Sequence, residues 1–217
     1  MSKAKINQLW PIPLFEGNFL ISENIKQKFY NEEFERMPNE NGAFSVNKYI
    51  LDSSEYEEVR NKIMSCVNAY AHSFLKVSDS VKFYLQNSWV VKHKSNDWGQ
   101  PHSHGNSLLS GVYYLNTDNQ SGNILLHKPG SYTNLFHQST RLPFDEVDNI
   151  NCETWNVKPN NGDILLFPSH LVHSIEKNKS NIIRYALAFN LHIEAELYSK
   201  KSNIDYLKLR NGNRYEK

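Results

Sequence analysis

Two groups of histidines have a spacing that could bring several imidazoles to one metal ion. His102 and His104 form a His-x-His motif, and residues i and i+2 of an extended strand project to the same side. His173 follows an apolar segment, Asp163 to Phe167, in a position to open the next strand. Imidazole nitrogen is a common ligand of divalent transition metals. An isolated His-x-His motif also fits two polar side chains on a solvated sheet face, so the spacing alone leaves both interpretations open.

Arg184 stands in an otherwise apolar segment, Ile182 to Phe189, eleven residues after His173. An arginine in such a strand requires an anion, because burial of an unpaired charge is costly. That anion is either a protein carboxylate or a carboxylate ligand, which a guanidinium binds through two parallel hydrogen bonds. Tyr114, in the segment Gly111 to Asn116, is either a core aromatic residue or a hydroxyl donor to such a ligand.

Two helices are predicted before residue 80. The first runs from Ser22 to Arg36 and the second from Ser54 to Lys76, where Ser54 and Glu57 have the spacing of a capping box. The apolar residues of the second helix recur at helical spacing and predict one buried face; they are Val59, Ile63, Val67, Tyr70 and Phe74. The prolines in the preceding segment, Trp10 to Phe19, favour an arm or an edge strand.

From residue 81 the apolar period changes to about two residues, which is typical of strands. The predicted strands are Val81 to Lys92, Leu108 to Leu115, Asn123 to His127, Asp163 to Phe167 and Ile183 to Ile193. Two helices followed by many strands predict an α+β chain, in which the helices cover one sheet of an antiparallel sandwich or barrel. The tail after Tyr198 is predicted to be either a short terminal helix or frayed chain.

Length and composition exclude several functional classes. The 217 residues predict a single domain, and 24 basic residues against 23 acidic ones leave no broad charge to attract nucleic acid or a membrane surface. Cys66 and Cys152 form neither a disulfide framework nor a zinc motif. The sequence has no apolar run that is long enough to predict an export signal or a membrane span, so we expect a cytoplasmic protein. Association through the N-terminal helices into a homodimer is an open alternative.

In their order along the chain, these motifs resemble the 2-oxoglutarate- and Fe(II)-dependent oxygenases of the prolyl-hydroxylase-like branch, over the segment from residue 85 to residue 193. Three shorter motifs are similar to a group of uncharacterised 2OG-Fe(II) oxygenases with a His-x-His motif; they are His102-Ser103-His104, Ser110-Gly111-Val112-Tyr113-Tyr114 and Phe167-Pro168-Ser169. The resemblance implies a double-stranded β-helix of the jelly-roll or cupin-like type at 81–195. A helical part at 1–80 would precede this core, and a tail at 196–217 would follow it, in one domain.

The resemblance also implies roles for single residues. His102 and His173 match the iron ligands, Arg184 matches the residue that forms a salt bridge to the distal carboxylate of 2-oxoglutarate, and Tyr114 matches a hydroxyl donor to the same group. The implied cofactor is Fe(II), and the implied partners are 2-oxoglutarate, O2 and a substrate. The implied reaction hydroxylates a protein side chain or a small molecule and releases succinate and CO2.

His104 departs from the usual pattern of this superfamily, which has Asp or Glu at the corresponding position. Three neutral imidazoles would leave the metal its full charge and would favour Zn, Cu or Ni over Fe(II). If His104 turns away, water would take its place at the metal. Two alternatives therefore stay open, a three-histidine metalloenzyme that does not use 2-oxoglutarate and a non-catalytic metal-binding β-sandwich.

Candidates for substrate contact come from the aromatic residues around this region. The long insertion Gly130 to Pro159 contains Trp155, and loops of this length often bind ligands. Trp89, Trp98 and His127 are the other candidates, although each could simply pack the sheet. Three further histidines are expected to be surface or packing residues; they are His72, His93 and His192.

Overall fold

The computed structural model describes residues 4–8, 11–36, 42–130, 143–199 and 202–209, with side chains described up to residue 195. The helices are α1 (Glu23–Tyr30) and α2 (Glu57–Asn68); a 3-10 turn, Ser54–Tyr56, precedes α2, and a π-helix, Ala69–Phe74, continues it. The strands are β1 (Phe15–Asn18), β2 (Phe34–Arg36), β3 (Ala43–Ser45), β4 (Lys82–His93), β5 (Gly99–His102), β6 (Leu109–Asn116), β7 (Ile124–His127), β8 (Thr154–Val157), β9 (Asp163–Pro168), β10 (His173–Ile175), β11 (Arg184–Ser199) and β12 (Ser202–Leu209). Among the described residues, no helix has both the length and the apolar character that a membrane span requires.

The strands pair antiparallel and build two sheets. The large sheet has the order β1-β9-β6-β11-β4-β3-β2, and β12 pairs with β11 outside this path. The small sheet has the order β5-β10-β7-β8. The strand predicted before residue 19 is β1, at the edge of the large sheet, while Trp10 lies outside the described residues.

Apolar side chains pack against both faces of the large sheet. Successive residues of β6 alternate between the faces, so that Tyr113 and Leu115 point toward the helices while Val112 and Tyr114 point toward the small sheet. The cluster on the helical side includes Phe29, Val59, Ile63, Val67, Ile164 and Leu187. The cluster between the sheets includes Ile124, Leu126, Leu165, Phe167 and Ala186. The predicted α+β arrangement, with helices on one sheet, is therefore confirmed.

The second predicted helix, Ser54 to Lys76, is confirmed as a continuous helical segment, Ser54 to Phe74. Its buried face contains four of the five predicted residues, Val59, Ile63, Val67 and Tyr70. Phe74 is 68% exposed, because it lies in the last turn of the π-helix. The predicted capping box is wrong, since the hydroxyl that accepts from the Glu55 N–H belongs to Ser53.

Two further predictions are wrong because strand pairing overrides the local pattern. Helix α1 ends at Tyr30, and Phe34–Arg36 forms β2, which pairs with β3, instead of extending the helix. The tail is neither a helix nor frayed chain over Ser202–Leu209, which forms β12. Strand β11 continues beyond its pairing with β4 and β6, and β12 satisfies the backbone groups that this extension presents.

Replacement of Ile63 by alanine should destabilise the protein, because this side chain is fully buried between α2 and the large sheet. The expected loss in the free energy of unfolding is about 2 to 5 kcal/mol, measured by urea denaturation. Phe74→Ala is the matched control, since Phe74 is exposed and should change stability by less than about 0.5 kcal/mol. Equal losses for the two variants would contradict the assigned packing.

Candidate metal centre and adjoining cavity

Three histidines that lie far apart in the sequence meet where β5 ends and β10 begins. His102 is the last residue of β5 and His173 the first of β10, and the two are register partners. The backbone N–H of His104 donates to the Ser169 carbonyl at 2.9 Å, which fixes the turn after β5. One nitrogen of each imidazole lies within 4.8 Å of the others. Small side-chain rotations would bring all three to the roughly 2.1 Å bonds of a metal–imidazole complex.

Backbone carbonyl groups fix the tautomer of two of these rings. The Nδ1 atom of His102 lies 2.8 Å from the Gln100 carbonyl oxygen, and Nδ1 of His173 lies 2.9 Å from that of Leu171. A carbonyl oxygen only accepts hydrogen bonds, so each neutral ring carries its proton on Nδ1. The Nε2 lone pair of each ring is then free to bind a metal ion.

His104 is held by side chains of the large sheet. Its Nδ1 donates to Asn190 Oδ1 at 2.5 Å, and the same oxygen accepts from the Ser110 hydroxyl at 2.8 Å. The Ser110 hydroxyl lies 2.9 Å from that of Ser169. The proton of His104 is therefore also on Nδ1, which leaves a third Nε2 free. Asn190 was not singled out from the sequence, where its only signal is a polar residue within a strand of apolar character, and Ser110 appeared there within a family motif but without a role of its own.

Burial keeps the imidazoles neutral where they are most enclosed. His173 is buried, and this burial lowers its pKa to about 3. Burial also lowers the pKa of His104, against the opposing effect of its hydrogen bond to Asn190. A neutral imidazole has a lone pair available for a metal ion, so these two rings can act as ligands at neutral pH.

A cavity of about 460 Å³ opens beside the three histidines. Its floor is the inner face of the large sheet, where strand register aligns the side chains in rows across β4, β11 and β6. One row contains Trp89, Ala188 and Val112, and in the next row Val91 lies opposite Ala186. Because the central residue of each row is alanine, the floor is recessed between larger neighbours. Within the described residues, no Asp or Glu lines the cavity.

Arg184 lines the same cavity from the start of β11 and is 1% exposed. Its Nη1 lies 3.1 Å from Nδ1 of His93, whereas its Nε and Nη2 have no hydrogen-bond partner among the described residues. The Tyr114 ring lies 5.2 Å from Cζ of Arg184, and its buried hydroxyl is likewise unpartnered. Burial lowers the pKa of Arg184 and raises that of Tyr114 to about 12, and the proximity of the two groups opposes both shifts. The pair therefore offers unsatisfied donors to a carboxylate.

His93 is buried rather than superficial, and it bonds Arg184 instead of simply packing the sheet. Burial lowers the pKa of His93 to about 3, and the charge of Arg184 adds to this effect. The sequence expectation for His93 as a surface or packing residue is therefore corrected. Its partner lies on another strand, so its spacing in the sequence gave no indication of the contact.

Among the residues predicted to contact a substrate, Trp89 lines the cavity, and its ring lies 5.9 Å from that of His104. The structure places Trp98, His127 and Trp155 outside the set of cavity-lining residues. His127 bonds the Ser174 hydroxyl at 2.8 Å instead. Trp155 is 42% exposed on β8, the edge strand of the small sheet.

The insertion from Gly130 to Pro159 is only partly described. Residues 131–142 lie outside the described part, and residues 143–159 do not line the cavity. The segment Thr154–Val157 forms β8, so the expectation of a mostly irregular insertion needs correction at that point.

A family model described as "Putative 2OG-Fe(II) oxygenase" matches residues 87–190, which include the three histidines, Tyr114 and Arg184. This segment is therefore similar to the 2OG-Fe(II) oxygenases. The match agrees with the family resemblance found in the sequence, over a segment that falls within residues 85 to 193. No curated protein matches the chain.

Several solved structures share the fold of the chain. The alpha ketoglutarate dependent epimerase SnoN from nogalamycin biosynthesis matches with a TM-score of 0.58 at 15% identity, over 83% of this chain and 78% of that chain. HygX from Streptomyces hygroscopicus, solved with nickel, 2-oxoglutarate and hygromycin B, gives 0.56 at 12%, over 83% and 82%. A Pseudomonas putida prolyl-4-hydroxylase gives 0.53 at 12%, over 82% and 92%. These identities support likeness of fold alone.

Loss of the Asn190 amide should weaken metal binding through His104. Asn190→Leu removes the acceptor of the His104 Nδ1–H, so we expect the dissociation constant for Fe(II), titrated anaerobically, to rise about 10- to 100-fold. Asn190→Asp is the matched control, because it retains an oxygen acceptor at the same position. Equal weakening by both substitutions, or by neither, would contradict this role of the amide oxygen.

His93 should contribute to acid destabilisation of the metal-free protein. Its pKa is about 3 in the folded protein, below the ordinary 6.5, so between these values only the unfolded chain binds the proton. The contribution of the neutral imidazole to the free energy of unfolding is therefore complete above pH 6.5 and declines as the pH falls toward 3. In His93→Asn, the slope of unfolding free energy against pH between 5 and 6 should be smaller by about 1 kcal/mol per pH unit. Urea denaturation of both proteins at several pH values measures this difference, and identical slopes would refute it.

Proposed function

We propose that the protein is a 2-oxoglutarate- and Fe(II)-dependent oxygenase, which hydroxylates a C–H bond of a protein side chain or a small molecule while 2-oxoglutarate is converted to succinate and CO2. The observation that carries this proposal is the sharing of one cavity by two features. Three imidazoles with free Nε2 atoms lie at the cavity, and so does a buried arginine with two unpartnered donor atoms. A 2-oxo diacid needs a metal ion for its keto acid end and a cation for its distal carboxylate.

The residues present fit a divalent metal ion. In each imidazole of the proposed set, His102, His104 and His173, an oxygen acceptor holds the proton on Nδ1 and leaves Nε2 for the metal. Three neutral ligands leave the ion its full charge of about +2. A bound dicarboxylate would offset that charge, which suits a cavity without described acidic residues.

The residues also fit the distal carboxylate of 2-oxoglutarate. Nε and Nη2 of Arg184 form one edge of the guanidinium, and both are unsatisfied and buried. Such an edge binds a carboxylate through two parallel hydrogen bonds. The unpartnered Tyr114 hydroxyl would supply a third donor. An apolar ligand in this position would leave all three donors unpaired at a substantial cost.

The proposed core is a double-stranded β-helix. Four strands of the large sheet, in the order β9-β6-β11-β4, face the four strands of the small sheet across the inner apolar cluster. In this arrangement the metal site lies between the two sheets, at the end where β5 stops. The sheet orders and the likeness to the solved structures of SnoN and HygX support this assignment and that of a single domain.

When bound, iron with O2 and 2-oxoglutarate supplies the oxidising power for the C–H bond. The protein would hold the reactants in place against a largely apolar wall, which is formed by Phe44, Val91, Val112, Ile124, Phe167 and Ile175. Trp89 extends toward His104 and is the proposed platform for the substrate. Trp98, His127 and Trp155 do not line the cavity, so their contact with a substrate stays a prediction.

A second candidate is a three-histidine metal dioxygenase that does not use 2-oxoglutarate. The observation that favours it is the imidazole of His104 in the place of a carboxylate. This alternative gives no role to the unpartnered donors of Arg184, so we prefer the first proposal.

Anaerobic titration of the protein with Fe(II) and then 2-oxoglutarate should produce the weak visible charge-transfer band of a metal–keto acid chelate. Arg184→Met should raise the dissociation constant of 2-oxoglutarate by at least about 30-fold while Fe(II) still binds, because the variant removes a buried charge partner. His173→Ala should abolish the band by removing a ligand.

Lys48→Met is the matched control for Arg184→Met. Lys48 also lines the cavity, but its amine already pairs with Glu35 at 2.8 Å, so the affinity for 2-oxoglutarate should stay close to that of the wild type. Iron binding without the band would favour the second candidate. An Arg184→Met variant with unchanged affinity for 2-oxoglutarate would refute the proposed carboxylate site.

A further inference from the structure

Among the described residues, the guanidinium of Arg184 has a hydrogen-bond partner at one nitrogen and none at the other two. Its Nη1 lies 3.1 Å from Nδ1 of His93, while Nε and Nη2 have no described partner. Arginine can only donate, so Nδ1 of His93 accepts this hydrogen bond and the imidazole carries its proton on Nε2. A guanidinium presents two different edges to a carboxylate, and this bond determines which edge is available.

We propose that His93 is a positioning residue, which holds Arg184 so that the Nε–Nη2 edge receives the distal carboxylate of the 2-oxo diacid. The inference rests on the proposed function and deepens it. His93 acts through Arg184, because its Nδ1 is engaged by Nη1 and is not available to the ligand.

Strand register supports the pairing. His93 and Arg184 are register partners on β4 and β11, so their side chains emerge side by side on the face that lines the cavity. Both are buried, which means that water does not compete for their hydrogen bond. Burial lowers the pKa of His93 to about 3, so the imidazole is neutral at neutral pH. A neutral imidazole can accept from Arg184 without charge repulsion.

Gly42 is a second, independent support. A Cβ atom at this position would lie 2.6 Å from Cδ2 and 2.9 Å from Nε2 of His93. The glycine backbone therefore packs directly against the imidazole and limits its movement away from Arg184. Gly42→Ala should push the ring aside without changing the chemistry of either residue.

The first experiment compares His93→Leu, which removes the acceptor, with His93→Asn, whose amide oxygen can take the place of Nδ1. Fe(II)-loaded protein is titrated anaerobically with 2-oxoglutarate and, separately, with 2-oxobutyrate, which lacks the distal carboxylate. For His93→Leu, the dissociation constant of 2-oxoglutarate should rise about 10- to 100-fold, and that of 2-oxobutyrate should not change. His93→Asn should restore the affinity for 2-oxoglutarate to within about threefold of the wild type.

The 2-oxobutyrate titration separates positioning from general damage, because a distorted site would lose both keto acids equally. His72→Leu is the control, since His72 lies on the helical side and contacts Phe83. If His93→Leu does not fold, Gly42→Ala tests the same geometry, and its effect should largely disappear in the double variant with His93→Asn.

Unchanged affinity for 2-oxoglutarate in His93→Leu and in Gly42→Ala would overturn the inference while leaving the proposed function intact. Equal losses for the two keto acids would also overturn it. A wild-type protein without the charge-transfer band would refute the proposed function and this inference together.

Discussion

The register of β11 between β4 and β6 determines which chemical groups meet in the cavity. Side chains at alternate positions of β11 face the small sheet, and these positions carry Arg184, Ala186, Ala188 and Asn190. At one end of this row, Asn190 holds the third histidine, and at the other end, Arg184 offers its donors. A shift of one residue would turn all four side chains toward the helices and would place Leu187 and Phe189 in the cavity. The site thus depends on the same pairing that builds the core.

The burial of Arg184 is the least favourable feature of this arrangement. A buried charge is stabilised only by good partners, and those described for Arg184 are one neutral imidazole, that of His93, and the ring of Tyr114. The surrounding apolar clusters must offset this cost, and they do so on both faces of the large sheet. Groups that are left unsatisfied in this way are typical of binding sites, where a ligand completes the hydrogen bonds.

Much of this could be predicted from local patterns. The spacing of His102 and His104, the polar interruption at Arg184 and the helical face of α2 are all visible over a few residues. His93 and Asn190 could not be assigned in the same way, because their partners are Arg184 and His104, which lie on other strands at large sequence separations. The end of α1 and the conformation of the tail also depended on strand pairing, which overrode the local signals at both places. Local periodicity predicted most of the helices and strands. The hydrogen bonds that hold His104 and Arg184, in contrast, depend on contacts between strands.

Because of Ala186 and Ala188, the size of the cavity and the proposed metal site depend on different residues. The three histidines proposed as metal ligands lie at the strand ends and in the turn after β5, whereas the depth of the floor depends on the methyl groups of Ala186 and Ala188 in mid-strand. Larger aliphatic residues at these positions would reduce the volume without touching the histidines or their hydrogen bonds. Chains with this architecture can therefore diverge in the size of the molecule they admit while the metal chemistry stays the same. The shape of the cavity and the reactivity of the centre are, in this fold, independently variable.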